Sequence, residues 1–229
     1  MITQIYSLQT PEEARMCIEA GADRIGVAVA TGCNLPSEVS EETCAQIYEQ
    51  AKGKAETVLI VVTESEEPIY APLKKLRPDV LHICGYDFQS TPEFAEKIRK
   101  LQPGIKLLQA VAVDGPGAIE RAKYFAGFCD EIILDSVDPS IAGIGAAGIT
   151  HDWSISAEIV KTVFCPVILA GGLSADNVAE AIKAVKPWGV DSFTKTSDKF
   201  SDGTSRKNPE KVRAFIENAR KAFSELKQE

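Results

Sequence analysis

A single (β/α)8 barrel spanning residues 1–229 is the fold this sequence predicts, and three observations predict it. Short apolar runs alternate with stretches of helical periodicity, the alternation repeats through eight candidate strands, and no linker or low-complexity segment interrupts it. A chain of 229 residues with 45% hydrophobic content can bury one core of that size. An open, doubly wound sheet of the same strands is the competing arrangement.

The first strand is "MITQIY", and the helix behind it has a clear start: Thr10 caps, Pro11 suits the first helical position and Glu13 completes a capping box. "RIGVAV" and "ETVLIVV" form the second and third strands. "VLHIC" is the fourth, followed by the same kind of helix start in "STPEFAEKI". "KLLQAVAV", "EIILD", "PVILA" and "GVDSF" complete the set, and "KNPEKVRAF" opens the last helix.

Composition excludes several function classes. The chain carries 33 acidic against 25 basic residues, a net charge of −8, and no lysine run longer than a pair, so it lacks the footprint of a nucleic-acid binder. No apolar segment approaches the ~20 residues of a membrane span, and "MITQIYSLQT" lacks the features of a signal peptide. A cytoplasmic protein is expected. The six cysteines (Cys17, Cys33, Cys44, Cys84, Cys129, Cys165) stand singly with no CxxC pair, and most read as small buried hydrophobes.

In such a barrel the chemistry gathers at the C-terminal ends of the strands. In "DVLHICG" the alternating side chains of Val80, His82 and Cys84 share one face. His82 is one of only two histidines, and with Cys84 at the strand end the two are candidates for acid–base or nucleophilic work, or simply for packing. Asp135 ends the sixth strand after an apolar run, where a carboxylate is costly unless used. After the seventh strand Gly171 and Gly172 let the backbone approach a ligand, and a helix beginning near Ala175 aims its amides at the same place. With Thr194 and Lys195 ending the eighth strand, this is where a phosphate is expected.

The stretches "YSLQTPEEA", "GADRIGV", "DVLHICG", "IILDS", "GAAGITHDW", "LAGGLSADNVAEAI" and "PWGVDSFTK" through "NPEKVRAFI" occur in an order that resembles the phosphoribosylanthranilate isomerase family over nearly the whole chain. The resemblance implies a barrel that performs an Amadori rearrangement, aminoaldose phosphate to aminoketose phosphate, without metal or organic cofactor. It implies that Asp135 is the family's acid and that Gly171, Gly172 and Leu173 belong to the phosphate site. The pattern also departs from the family. The family's catalytic cysteine falls on Tyr6, its arginine after the second strand falls near Ser37, and its lysine after the sixth strand falls on Ile149. The serine, serine, glycine stretch of the eighth strand reads Phe193, Thr194 and Lys195, a lysine charge standing where a backbone amide would serve. Gln4 shares a face with Tyr6, Gln109 stands where the family often has a lysine, and His151 replaces an aromatic residue and is expected to pack.

These readings converge on an isomerase or epimerase of a small phosphorylated sugar derivative, acting as monomer or homodimer, with a substrate changed from phosphoribosylanthranilate. Asp135 is one acid–base group, and Tyr6, His82 or Cys84 is the second. Two alternatives remain: a lyase or aldolase forming a Schiff base on Lys195, and a phosphosugar-binding protein without catalysis. No metal is expected, since Asp135, His82 and Asp191 show no compact ligand spacing.

Overall fold

The computed structural model describes the chain except residues 33, 34, 36, 139–142, 146, 147, 202, 203, 228 and 229. Cys33 and the Ala146–Ala147 pair of "GAAG" therefore lie outside the described residues. The strands are β1 (Ile2–Ile5), β2 (Arg24–Ala28), β3 (Glu56–Val61), β4 (Val80–Ile83), β5 (Lys106–Ala112), β6 (Glu131–Asp135), β7 (Val167–Leu169) and β8 (Gly189–Ser192). They pair in parallel and in chain order, and β1 closes the ring against β8 with Gln4 opposite Asp191. An open sheet is thereby excluded.

Among the described residues eight α-helices follow the strands: α1 (Pro11–Glu19), α2 (Glu41–Ala51), α3 (Glu67–Leu76), α4 (Pro92–Leu101), α5 (Ala118–Ala126), α6 (Trp153–Thr162), α7 (Val178–Val185) and α8 (Pro209–Leu226). The expected starts of α1, α4 and α8 are all present, with Thr10, Thr91 and Asn208 each accepting a first-turn amide. Glu13 departs from the capping-box geometry. Its carboxylate accepts from the Gln9 amide at 2.6 Å and the Lys207 amide at 2.8 Å, so it ties a distant segment to α1. That segment is an antiparallel hairpin, β9 (Ser197–Lys199) and β10 (Ser205–Lys207), between β8 and α8.

Strand alternation divides the core in two. Residues such as Ile25, Leu59, Leu81 and Leu134 pack outward against the helices, while Val58, Ile60, Val80, Leu108, Ile133 and Ile168 fill the barrel. At the lower, N-terminal end Arg24 is 1% exposed, donates to Glu131 at 2.7 Å and to Glu56 at 2.5 Å, and lies 5.2 Å from the Trp188 ring centre. A buried guanidinium is tolerated because its fork is matched by two carboxylates. Among the described residues no helix is long and apolar enough to cross a membrane.

Candidate active site

At the upper end the strand tops surround a cavity of about 400 Å³, floored by Tyr6, His82, Cys84, Asp135 and Asp191 and walled by Leu35, Ile60, Val62, Ile144 and Phe193. A wider cavity of about 830 Å³ lies beside it, lined by Gly172, Ser174, Asn177, Thr194, Lys195 and Lys211 among others. Thr194 and Ser197 line both, so one ligand can reach from the outer pocket to the inner floor.

Tyr6, the His82 and Cys84 of one strand, and Asp135, three places far apart in sequence, thus meet in the inner cavity. Asp135 is partly buried at the tip of β6, where its Oδ1 accepts from the Ser136 amide at 2.7 Å. Burial raises its pKa to about 7, against which the Ser136 amide pulls down. The loop after β6 presses on it. A Cβ on Gly145 would sit 2.4 Å from Asp135 Oδ2, and the Ile144 amide donates to the Cys84 carbonyl at 2.8 Å. Asp135 and its cover are therefore fastened to each other and to β4.

The other three sequence candidates meet the cavity in forms poorly suited to remove a proton. Tyr6 packs its ring over Gly26, where a Cβ would lie 2.3 Å away, and its ring centre is 5.3 Å from that of His82. Burial, with the Asp191 charge adding to it, holds the Tyr6 phenol well above its ordinary range. Burial likewise lowers His82 to about 3, so its imidazole is neutral, and neither ring nitrogen has a hydrogen-bond partner among the described residues. The Cys84 thiol donates to the Val61 carbonyl at 3.3 Å.

Two residues that sequence reasoning gave no catalytic part stand beside them. Asp191, weighed from the sequence only as a metal ligand, is 5% exposed and accepts from Gln4 Nε2 at 3.1 Å. The signal was present in "GVDSF", a carboxylate inside a strand, but its partner appears only when the barrel closes. Lys207 on β10 is buried and donates from Nζ to the Phe193 carbonyl (3.0 Å), Thr196 Oγ1 (3.2 Å) and Ser197 Oγ (3.1 Å). Burial lowers its pKa to about 8, opposed by the Cys17, Asp191 and Glu13 charges. Among the described residues, no three His, Cys, Asp or Glu side chains come together to hold a metal.

The outer pocket corrects several expectations. Gly171 and Gly172 do adopt left-handed backbone, at φ +84° and +62°. Their missing side chains, however, make room for the chain itself. A Cβ on Gly171 would meet Ser136 Oγ at 2.4 Å, and one on Gly172 would meet the Ile149 backbone at 2.6 Å. The helix starts at Val178, not near Ala175, because Asn177 Oδ1 captures the Ser174 amide at 2.8 Å and turns residues 174–177. Leu173 is core, 1% exposed, with its carbonyl accepting from Ser192 Oγ at 2.7 Å. Lys195 is exposed on a 3-10 turn (Thr194–Thr196), so the desolvated amine a Schiff-base mechanism requires is absent there. The buried lysine is Lys207, and its amine is committed to three acceptors.

His151 packs, as expected. Ser136 Oγ gives its proton to the Ile149 carbonyl at 2.6 Å, so His151 Nδ1 donates to Ser136 Oγ (3.1 Å) and Nε2 accepts from Ser156 Oγ (2.7 Å). Gln109 is also spoken for, its Oε1 accepting the Ser90 amide at 2.9 Å. Ser37 is buried and lines the inner cavity.

Fold and site define a (β/α)8 barrel in which a floor of buried titratable groups lies beside a polar outer pocket. Residues 3–218 match the family model described as N-(5'phosphoribosyl)anthranilate (PRA) isomerase. The chain is similar to N-(5'-phosphoribosyl)anthranilate isomerase of Methanocella arvoryzae, 34% identical over 95% of this chain and 97% of that one. It is similar to the same-named protein of Halorubrum lacusprofundi, 34% identical over 94% and 95%. Among solved structures, phosphoribosyl anthranilate isomerase of Thermotoga maritima superposes with a TM-score of 0.79 at 26% identity, covering 96% of this chain and all of that one. The chain belongs to the phosphoribosylanthranilate isomerase family and is an intramolecular isomerase of the aldose–ketose type.

Proposed function

We propose that the protein performs an Amadori-type isomerisation on an N-substituted aldosylamine phosphate whose amine substituent differs from anthranilate. The observation that carries this reading is the juxtaposition of Asp135, its pKa raised to about 7 by burial, with the outer pocket through the shared Thr194 and Ser197. The phosphate occupies the outer pocket, where Lys195 and Lys211 supply positive charge and Ser174, Asn177 and Thr194 supply polar groups. The sugar then reaches the Asp135 carboxyl, poised to exchange a proton near neutrality.

The substituent lies among Leu35, Ile60, Val62, Ile144 and Phe193. Ser37 offers a hydroxyl to a group there, whereas a substituent carboxylate calls for a charge-assisted donor. Lys199 is the one cation among the described lining residues and is exposed at the rim. That lining supports an uncharged, largely apolar substituent. Tyr6, His82 and Cys84 shape the floor in this reading.

The test supplies purified protein with freshly generated phosphoribosylanthranilate and, in parallel, with ribosylamine 5-phosphates formed from ribose 5-phosphate and uncharged amines. Turnover of an uncharged member at least tenfold faster in kcat/KM is expected. Robust turnover of phosphoribosylanthranilate with none of the others would overturn the changed substituent. An Asp135→Asn variant as active as wild type would remove Asp135 from the chemistry.

A further inference from the structure

Two carboxyl groups face the inner cavity, and only one has been given a task. Asp191 enters from β8 and Asp135 from β6, with β7 between them, and both line the same cavity of about 400 Å³. Asp191 is 5% exposed, and among the described residues it accepts a hydrogen bond from the neutral Gln4 amide of β1 at 3.1 Å. A nearly buried carboxyl without a cation in contact is costly for folding alone. The charged and titratable groups around it are Asp135 on β6, Tyr6 at the end of β1 and Lys207 on β10. Burial raises the Asp191 pKa to about 8, the Asp135 charge adds to the rise, and Gln4 and Lys207 oppose it. Two carboxyls so placed hold one proton between them near neutrality.

We propose that Asp191 is the second acid–base group of the isomerisation, acting as a pair with Asp135. This rests on the reading of the substrate as an aldosylamine phosphate. The carboxyl holding the shared proton gives it to the ring oxygen as the C1–O bond breaks, and the nitrogen lone pair forms the C1=N⁺ bond. The ionised carboxyl takes the proton from C2. The C2–H pair becomes the C1=C2 bond, and the C=N⁺ pair returns to nitrogen, leaving a neutral enolamine. The C2 hydroxyl then yields its proton to the first carboxyl, and the second returns its proton to C1, giving the ketone with both carboxyls restored. No oxidant, reductant or third group is consumed.

Two measurements on the intact chain test this. Carbon-13 NMR titration of aspartate-labelled wild type should show two side-chain carboxyls with midpoints above about 6, and in Asp135→Asn the Asp191 midpoint should fall. Asp191 titrating below about 5, or an Asp191 midpoint unmoved in the variant, overturns the pairing. With whichever ribosylamine phosphate wild type isomerises, Asp191→Asn should lose roughly 10² to 10⁴ in kcat, with KM within about threefold and one limb of the pH–rate profile gone. Turnover within about threefold of wild type overturns the catalytic role. Absence of wild-type turnover on every probe counts against the substrate reading, and the titration then decides the pairing by itself.

Discussion

Asp135→Asn should make the protein more stable at alkaline pH while removing its chemistry. Unfolded, the carboxyl ionises at its ordinary 3.8, whereas in the fold burial holds it protonated up to about 7. As pH rises between those values the unfolded chain gives up this proton first, so wild-type stability falls across the window and is level above it. At about 1.36 kcal/mol per pH unit the full effect is about 4 kcal/mol. Asp135 is only partly buried and borders the cavity, so solvent screening leaves roughly half of that, about 2 kcal/mol. Asparagine keeps the acceptor for the Ser136 amide and removes the titration. It also relieves Asp191, which the Asp135 charge raises, adding to the gain. The neutral His82, held to about 3, destabilises the fold on the acid side in both proteins and cancels in the difference. Urea unfolding followed by the fluorescence of Trp153 and Trp188 would measure it at about pH 4 and about pH 8. The variant should match wild type at the lower pH and exceed it by about 2 kcal/mol at the higher. An equal difference at both pH values would refute the reasoning, because the Asp135 carboxyl would then not be held protonated by the fold.

Two other perturbations separate the lower end of the barrel from the upper. Arg24→Ala leaves Glu131 buried without its fork and should cost about 3–5 kcal/mol, lowering the melting temperature by roughly 6–20 °C in calorimetry. Tyr6→Phe removes a phenol oxygen that has no hydrogen-bond partner among the described residues; turnover should stay within about threefold and stability should hold or rise by about 1 kcal/mol, as read by steady-state kinetics and denaturant titration.

The barrel was legible in the sequence because each strand carries its own evidence. "ETVLIVV" and "EIILD" are apolar on both faces, as strands buried between a barrel interior and a helix layer must be, and Thr10–Pro11, Thr91–Pro92 and Asn208–Pro209 mark helix starts locally. Single residues sufficed to single out Asp135 and His82, and both line the inner cavity. The site was not legible where meaning depends on a partner across the closure of the ring. Asp191 gains its significance from Gln4, its register partner on β1, and from Asp135 on β6, neither of which the local sequence names. The glycine pair was read as letting the backbone approach a ligand. What fills the space beside it, Ser136 and Ile149, arrives from the segment between β6 and α6 and leaves no local trace. The hairpin bearing Lys207 reads as loop because its strands span three residues each and are mostly polar.

The contact between Tyr6 and Gly26 makes two neighbouring strands depend on each other. A methyl group at position 26 would lie 2.3 Å from the tyrosine ring, so the ring in this position requires glycine there. A small side chain at position 6 would in turn open a void beside Ile60 and His82. Each residue is a condition for the other. A cysteine placed at position 6 by a single substitution would therefore supply a thiol without the packing that the ring provides, and engineering a thiol into this floor needs a filled neighbour as well.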